Sequence, residues 1–164
     1  MGKIYTKKGD KGQTKTIGRV MSKDDDLAEA LGTIDELNSW LGYCRKQFPI
    51  SELKNIQTNL MKINAILAGA DKPELEISNY EIRKLEKWID KMTDDLPPLT
   101  NFVYPVGEIQ VARAVCRRAE RVVLKFANNT PLKYLNRLSD YLFTLARWVN
   151  MKSGVDEEVW KLVQ

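Results

Sequence analysis

The 164-residue sequence contains no histidine. This absence excludes Ser-His-Asp and Cys-His catalytic arrangements, zinc sites built with histidine, and the Glu-x-x-His ligand pairs of ferritin-like di-iron bundles. It also means that these residues cannot supply an imidazole as an axial ligand to a metal-containing cofactor. Any reaction catalysed by this chain has to proceed without histidine as a base or as a ligand.

Cysteine and long apolar stretches are also scarce. The two cysteines, Cys44 and Cys116, fall within helical apolar patterns, which predicts reduced core thiols and not a disulfide or a metal site. The chain opens with Met-Gly-Lys-Ile-Tyr-Thr, which is not an apolar signal segment. Its longest apolar stretch, near residues 65–70, is far shorter than the roughly 18 residues that a membrane span needs. We therefore expect a cytoplasmic protein without a membrane segment.

Charge and length leave several functions open. Lysine and arginine number 26 against 22 aspartates and glutamates, so the formal net charge is +4. This mild basic excess fits an anionic small molecule as readily as a nucleic acid. The length suits one well-buried core and is short for two ordinary domains. We predict a single domain over residues 1–164, with an arm at 1–22, a helical bundle at 23–153 and a tail at 154–164.

Apolar residues recur every three or four positions in five separate stretches, which is the pattern of amphipathic helices. No β-alternating run of useful length appears, and most connections are short. These features predict an all-α fold, a five-helix up-and-down bundle that is ferritin-like in architecture, with an irregular N-terminal arm and a short amphipathic tail. The predicted helices cover approximately residues 24–46, 51–69, 78–94, 108–128 and 130–153.

Capping signals mark several of the predicted helix starts. Asp24–Asp26 stands where an N-cap and first-turn acids belong, and Ser51 can cap the second helix. Ser78 and Glu81 have the spacing of a capping box at the third helix. At the fifth helix, Thr130-Pro131 predicts an N-cap followed by proline at the first helical position.

Three arginines of the fourth predicted helix, Arg113, Arg117 and Arg121, are spaced four residues apart and would form one column. Such like-charge pairs repel by roughly 0.2–0.5 kcal/mol each in an isolated helix. Glu120 cannot neutralise this column and Arg118 together. The planar guanidinium groups suit an anion with several oxygens, such as phosphate. The alternative is a solvated basic face that pairs with acids on other helices, and the spacing does not decide between the two.

The N-terminal arm interleaves glycines with lysines between Thr6 and Lys15. Glycines let the backbone approach an anion closely, and lysines add positive charge. The spacing of a P-loop is absent. Lys23, just before the first helix, adds a further cation near a helix start. A phosphate-binding loop and a solvated basic tail are both compatible with this segment.

Other candidates lie beside the apolar stripes and in a linker. Asp35 on the first helix is either a surface acid or the partner of an arginine on another helix or subunit. On the fifth helix, Asn136 and Asp140 have the spacing of a surface pair and share a column with Arg147. Phe102 lies in a proline-stiffened linker at residues 95–107, where it can cover the bundle core or form a wall against a flat apolar ligand.

Five segments, in order across nearly the whole chain, resemble the PduO-type ATP:cob(I)alamin adenosyltransferases, also called corrinoid adenosyltransferases. Among their motifs, Arg-Arg-Ala-Glu-Arg and Asn-Arg-Leu-Ser-Asp-Tyr are specific in combination. The matching segments are Ile4–Thr14, Lys23–Asp25, Asp35–Ser39, Val111–Arg121 and Tyr134–Phe143.

The resemblance implies a five-helix bundle that assembles as a homotrimer, with active sites between adjacent subunits. It implies that the N-terminal arm wraps ATP and that the fourth and fifth helices complete the nucleotide site. The ATP-binding residues implied in this way are Thr6, Lys7, Lys8, Gly9, Thr14, Lys15, Lys23, Arg117, Arg118, Glu120, Arg121 and Asn136.

On the corrin side, the resemblance implies that Asp35 pairs with Arg113 across the subunit interface and that Phe102 closes the lower face of the corrin ring. Together with Arg117, these would be the catalytic residues. The implied reaction transfers the 5′-deoxyadenosyl group of ATP to the cobalt of cob(I)alamin and releases triphosphate, with Mg²⁺ on the nucleotide. The implied protein partners are a flavin-type reductase and an enzyme that uses adenosylcobalamin, with no nucleic acid or membrane partner.

Two other functions remain compatible with the residues. A basic helical module could bind nucleic acid or another polyanion, although no aromatic residue is interleaved with Arg113–Arg121 and no recognised binding motif is present. A nucleotide- or corrinoid-binding sensor or chaperone would keep the fold without the reaction. It would combine intact ATP-side residues with an altered corrin-side loop, and the segment at 105–110 is several residues shorter than the family pattern.

Overall fold

The computed structural model describes Tyr5, residues 7–127 and residues 129–161. A short two-stranded sheet precedes the bundle and consists of β1, Gln13–Lys15, and β2, Val20–Ser22. None of the helices in these ranges is long and apolar enough to span a membrane. The predicted all-α fold with five helices is confirmed. The helices are α1, Asp26–Gln47; α2, Glu52–Leu67; α3, Asn79–Thr93; α4, Glu108–Val123; and α5, Thr130–Lys152.

The core lies among all five helices because each contributes one apolar stripe. Helix α5 packs against α3 and α4, and α1 packs against α2 and α4. Burying a leucine side chain of this kind contributes roughly 1.5–3 kcal/mol. The bundle therefore derives most of its stability from stripes that the sequence periodicity already marks. Fully buried members, one from each helix, are Leu37, Leu60, Leu85, Cys116 and Leu142.

A buried polar contact joins α2, α3 and α5. The side-chain amide of Asn59 donates to the Tyr134 hydroxyl at 3.2 Å and to the Glu81 carboxylate at 2.9 Å. Lys84 also donates to Glu81, at 3.3 Å. Ser78 makes no side-chain capping bond, so the predicted capping box is wrong. The tertiary contact takes the Glu81 carboxylate that the capping box would have used.

Of the predicted caps of α1 and α2, only that of α1 forms a capping hydrogen bond in the described structure. Asp25 caps α1, since its carboxylate accepts from the Leu27 backbone amide at 2.8 Å. Ser51 precedes α2 as predicted but makes no capping bond, because its hydroxyl donates to Glu52 at 2.9 Å. Position in the sequence therefore identified both helix starts, while the hydrogen bond formed at only one of them.

The connection between α4 and α5 is longer than predicted. Helix α4 ends at Val123 and not near residue 128, and turns follow it. Helix α5 begins at Thr130, with Asn129 as the N-cap residue at φ 66°. Thr130 is therefore the first helical residue and not the N-cap, so the prediction is wrong by one position.

The N-terminal arm is more regular than predicted. Strands β1 and β2 pair antiparallel, with Thr14 opposite the buried Met21. The hairpin docks on the end of α2, where the Gly18 amide donates to the Ala68 carbonyl at 3.1 Å. A Cβ atom on Gly69, which has φ 99°, would lie 3.1 Å from the Gly18 nitrogen. Three-residue strands are too short to show an alternating pattern, which is why the sequence did not reveal them.

The C-terminal segment at 155–161 is not helical. It runs beside the linker at 95–107. The Tyr104 amide donates to the Glu158 carbonyl at 2.9 Å, and the Trp160 amide donates to the Phe102 carbonyl at 2.8 Å. The segment therefore obtains its backbone hydrogen bonds from a distant part of the chain.

We expect both cysteines to resist alkylation in the folded protein. Cys44 and Cys116 are buried and free, and burial raises the pKa of the Cys44 thiol to about 11 and also raises that of Cys116. Because the thiolate is the nucleophile, iodoacetamide at pH 8 should react roughly 100-fold more slowly than with urea-unfolded protein. Mass spectrometry over time measures both rates. Modification of either folded thiol at the unfolded rate would contradict its core position.

Candidate active site

A cavity of about 360 Å³ lies between α4, α5 and the linker at 95–107, and we call it the arginine cavity. It brings Arg113 and Arg117 of the predicted column together with Phe102 of the linker. Three predicted site residues that are separated in sequence therefore share one wall. The remaining lining residues are Leu99, Val103, Ser139, Asp140, Phe143 and Thr144.

Arg113 is held in a defined position within this cavity. Its Nε donates to the buried Gln110 side chain at 2.6 Å, and its guanidinium carbon lies 6.0 Å from the centre of the Phe143 ring. Burial lowers the pKa of the Arg113 guanidinium, and the positive charge of Arg117 lowers it further. Both effects disfavour the charged form, so an anion bound in the cavity would relieve them.

The column arginines form no ion pair within the described part of the chain. Among the residues that the structure describes, no carboxylate lies within ion-pair distance of Arg113, Arg117 or Arg121. Asp140 lines the same cavity but accepts from Arg137 at 2.8 Å. Arg121 donates to the backbone carbonyl of Arg117 at 3.2 Å. The cavity therefore carries positive charge that the rest of the described chain does not neutralise.

Arg118, by contrast, pairs with an acid on another helix, which is the alternative considered for the basic face. It forms an ion pair with Glu36 of α1. Its Nε is buried and has no hydrogen-bond partner among the described residues. Because Arg118 lies about 100° around the helix from Arg117, it faces α1 and not the cavity. The sequence analysis did not identify Glu36, and its only signal was its position next to Asp35.

A second pair of predicted residues meets between α4 and α5. The Asn136 side-chain amide donates to the Glu120 carboxylate at 2.9 Å. Asn136 therefore pairs across the two helices, while Asp140 accepts from Arg137. The surface pair that the spacing of Asn136 and Asp140 suggested is replaced by these two contacts.

A larger cavity of about 700 Å³, which we call the arm cavity, lies between the β1–β2 hairpin, α1 and α2. Thr14 and Lys15 of β1 meet Asp35 of α1 there. The side-chain carbonyl oxygens of Asn38 and Asn64 are buried in this wall without hydrogen-bond partners among the described residues. The other lining residues are Thr16, Ile17, Leu31, Ile34, Leu60, Met61, Ala65 and Ala68.

The loop before β1 places a lysine against glycine backbone. Lys7 has a left-handed conformation at φ 59°, and a Cβ atom on Gly9 would lie 3.2 Å from the Lys23 ammonium nitrogen. The Gly9 backbone and the Lys23 side chain are therefore adjacent, as an anion-binding loop requires. Two predicted nucleotide contacts, Thr6 and the side chain of Lys8, lie outside the described residues.

The predicted site residues thus fall into two groups on one chain. Asp35 lies in the arm cavity with Thr14, whereas Arg113 lies in the arginine cavity with Phe102. No ion pair joins Asp35 and Arg113 within this single chain. The predicted contact between them stays a prediction about neighbouring subunits.

Residues 4–149 match the family model described as cobalamin adenosyltransferase. The chain belongs to this family. Among its relatives, the corrinoid adenosyltransferase MMAB of Bos taurus is 44% identical over an alignment of 183 positions, which covers 97% of this chain and 76% of the bovine protein. The corrinoid adenosyltransferase of Bacillus subtilis is 37% identical over an alignment of 174 positions, which covers 94% of this chain and 90% of the relative.

Solved structures of the family have the same fold. A variant of the PduO-type ATP:corrinoid adenosyltransferase from Lactobacillus reuteri, complexed with cobalamin and ATP, superposes with a TM-score of 0.88 at 34% identity. The match covers 98% of this chain and 100% of that one. Another variant of the same enzyme, complexed with ATP, gives a TM-score of 0.85 at 34% identity, over 96% of this chain and 100% of that one. The resemblance drawn from the sequence motifs is confirmed.

We expect the arginine cavity to bind polyphosphate through Arg117. Hydrogen bonds to charged groups contribute roughly 1.5–3 kcal/mol, so Arg117→Gln should weaken tripolyphosphate binding roughly 10- to 150-fold. Isothermal titration calorimetry at constant ionic strength measures the affinity. Arg83→Gln on the exposed face of α3 is the matched control and should change it less than about twofold, because distant surface charges are screened. Equal losses in both variants would indicate a general effect of net charge and no specific site.

Proposed function

We propose that this protein is an ATP:corrinoid adenosyltransferase. It transfers the 5′-deoxyadenosyl group of ATP to the cobalt of cob(I)alamin, forms adenosylcobalamin and releases triphosphate. The observation that carries this proposal is the meeting of Arg113, Arg117 and Phe102 at one cavity in a chain of the cobalamin adenosyltransferase family. Cobalamin and ATP bound to the Lactobacillus reuteri relative support both substrates.

The reaction is a displacement at the ribose 5′-carbon. Cobalt(I) supplies the electron pair of the new cobalt–carbon bond, and the bond from the 5′-carbon to the triphosphate oxygen breaks. That oxygen leaves with the electron pair of the broken bond. Because cobalt(I) carries no proton that must be removed, the step needs no general base. A chain without histidine can therefore catalyse it.

Catalysis by the chain's own residues is electrostatic and positional. Negative charge grows on the leaving oxygen, so cations held nearby stabilise the transition state more than the ground state. Arg113 is already fixed by Gln110 and Phe143, which limits the reorganisation needed during reaction. Loss of one such fixed donor typically lowers the rate roughly 100- to 1,000-fold. Bringing two large substrates into line contributes much of the remaining acceleration.

We assign Phe102 to the lower face of the corrin ring. Its side chain is 76% exposed at the arginine cavity, so an apolar surface is available to a flat ligand before binding. A phenyl ring in this place would exclude a lower axial ligand from cobalt. Four-coordinate cobalt(II) is easier to reduce to the reactive cobalt(I). A corrinoid is larger than the cavity and would lie across its mouth.

The remaining proposed nucleotide contacts come from the N-terminal arm and from helices α4 and α5. Thr6, Lys7, Lys8, Gly9, Lys15 and Lys23 would bind ATP from the arm, and Arg121 with the Glu120–Asn136 pair would bind it from α4 and α5. Arg118 ties α4 to α1 through Glu36 in the free chain. A contact of Arg118 with ATP would therefore need this ion pair to open or to be shared.

We further propose a homotrimer with active sites between neighbouring subunits. The arm cavity carries Lys15 and Asp35, whereas the arginine cavity carries Arg113 and Arg117. A site formed where two copies meet would use one cavity from each, and Asp35 of one subunit would then pair with Arg113 of the next. A cyclic arrangement of three such contacts closes without leaving an unpaired face.

Other elements of the function rest on the family resemblance. Among the described residues, no group of three or more histidine, cysteine, aspartate or glutamate side chains can hold a metal ion. Mg²⁺ would accordingly be held by the triphosphate oxygens, and no step above depends on it. A flavin-type reductase, an adenosylcobalamin-dependent enzyme as recipient and a cytoplasmic location are further parts of the proposal, as is the single domain with its arm and tail.

The first test is an anaerobic assay with ATP, Mg²⁺ and chemically reduced cob(I)alamin. We expect the visible spectrum of a light-sensitive cobalt–carbon product only when both protein and ATP are present. Arg117→Lys keeps the charge but loses the bidentate fork, so turnover should fall at least about tenfold, whereas Arg83→Lys should not change it. Saturable ATP binding without product would contradict the enzymatic proposal and favour a sensor or chaperone.

Mixed oligomers test whether two subunits share one site. Lys15→Glu disables the arm cavity and Arg117→Glu disables the arginine cavity, so each variant alone should be inactive. If sites form between neighbours in a trimer, each mixed trimer should regain about one of its three sites, because only one of its three contacts joins two intact halves. Co-expression with two affinity tags provides the mixed species. Complete inactivity of these mixed oligomers would mean that both halves come from the same chain.

A further inference from the structure

Arg147 is a buried charge with an unusual set of partners. Its residue exposure is only 8%, and such a charge is costly in a protein interior unless it is paired. Its Nε and Nη2 both contact the Glu157 carboxylate, the latter at 3.0 Å, and Nη2 also donates to the Pro97 carbonyl at 2.9 Å. One guanidinium on α5 therefore binds both the linker at 95–107 and the C-terminal segment at 155–161.

The linker and the C-terminal segment are also joined to each other. Val103 and Val159 form an antiparallel bridge, and the Trp160 amide donates to the Phe102 carbonyl at 2.8 Å. The rings of Phe102 and Trp160 meet edge to face, with centroids 6.4 Å apart. The backbone at Phe102 is thus held by the C-terminal segment, which in turn is held by Arg147 through Glu157.

Phe102 has few restraints of its own. It is 76% exposed, and its amide donates to the neighbouring Asn101 side chain at 2.8 Å. The position of an exposed ring on a loop follows its backbone, so a fixed backbone keeps the ring at the cavity mouth. The bridge to the C-terminal segment supplies that restraint.

Arg147 also lies against Phe143, which lines the arginine cavity. The guanidinium carbons of Arg147 and Arg113 lie 5.9 Å and 6.0 Å from the centre of the Phe143 ring. Phe143 therefore contacts both cations and forms the wall between the clamp and the proposed catalytic arginine. Residues 143–147 of α5 therefore contact the linker through Arg147 and Arg113 through Phe143.

We propose that Arg147 is a positioning residue that places Phe102 at the cavity mouth by clamping the C-terminal segment, through Glu157, against the linker. The contacts of this clamp are formed within one chain and need no substrate. Its consequence for catalysis rests on the proposed function, in which Phe102 excludes a lower ligand from cobalt. Arg147 and Glu157 would then matter most when the corrinoid enters as cob(II)alamin and less when it is supplied as cob(I)alamin.

The clamp itself is tested without substrates by hydrogen exchange. Glu157→Ala should accelerate exchange of the Tyr104 and Trp160 amides roughly tenfold or more, because their acceptors lie across the released bridge. Exchange in α1 should not change. Glu158→Ala is the matched control, since only the backbone carbonyl of Glu158 takes part in the bridge. Unchanged exchange at both amides would overturn the clamp.

The catalytic consequence is tested by a double-mutant cycle. Glu157→Ala should lower turnover from cob(II)alamin plus a chemical reductant roughly tenfold, while turnover from cob(I)alamin and the KM for ATP stay within about twofold. In the Phe102→Ala background, Glu157→Ala should have no further effect, because its influence passes through Phe102. Arg147→Lys should lie between wild type and Glu157→Ala, since it keeps the charge but not the fork.

The outcomes separate the two proposals. Accelerated exchange in Glu157→Ala, together with a wild-type protein that forms no adenosylcobalamin, would support the clamp and overturn the proposed function. An active enzyme in which Glu157→Ala slows cob(I)alamin and cob(II)alamin turnover equally would overturn the positioning role. If the loss of turnover in the double variant equals the product of the two single losses, the positioning role is also overturned. A lower melting temperature with unchanged turnover ratios would identify Arg147 as a residue that serves folding alone.

Discussion

Positive charge concentrated on one face of α4 is the constraint on which the rest of the site depends. Arg113 and Arg117 lie one helical turn apart in the arginine cavity. Neither forms an ion pair with a carboxylate of the described chain, and Asp140 in the same cavity pairs with Arg137. A free chain that keeps such charges together stores repulsion that a bound anion can relieve. In the proposed function the surrounding structure has two tasks, which are to hold the guanidinium groups in place and to admit a polyphosphate beside them.

Neighbouring helices perform the first task through contacts at the edges of the column. Arg118 pairs with Glu36 and ties α4 to α1, while Glu120 accepts from Asn136 and ties α4 to α5. Residues within one short motif therefore contact different helices, because successive positions on a helix face different neighbours. The Arg-Arg-Ala-Glu-Arg motif combines residues of the proposed polyphosphate site with residues that join neighbouring helices.

The sequence was most informative where the signal was long and periodic. Five apolar stripes predicted five helices correctly, and the arginine spacing correctly indicated one face of α4. Local signals failed where a distant contact competed for the same atoms, as when Asn59 took the Glu81 carboxylate from the capping box at Ser78. The β1–β2 hairpin and the contacts of the segment at 155–161 were missed because their hydrogen bonds join short or remote pieces of chain that no local pattern records.

The contact between Gly18 and Gly69 has a consequence for how this arm could change over time. The hairpin is joined to the end of α2 by the backbone hydrogen bond of Gly18, and a side chain at Gly69 would collide with Gly18. This contact does not depend on the side chains of Thr14 and Lys15. Residues of β1 that face the arm cavity could be replaced, by evolution or by design, while the strand stays at the same height above α1. If the arm cavity binds substrate as proposed, its preference can change while the hairpin keeps its position on α2.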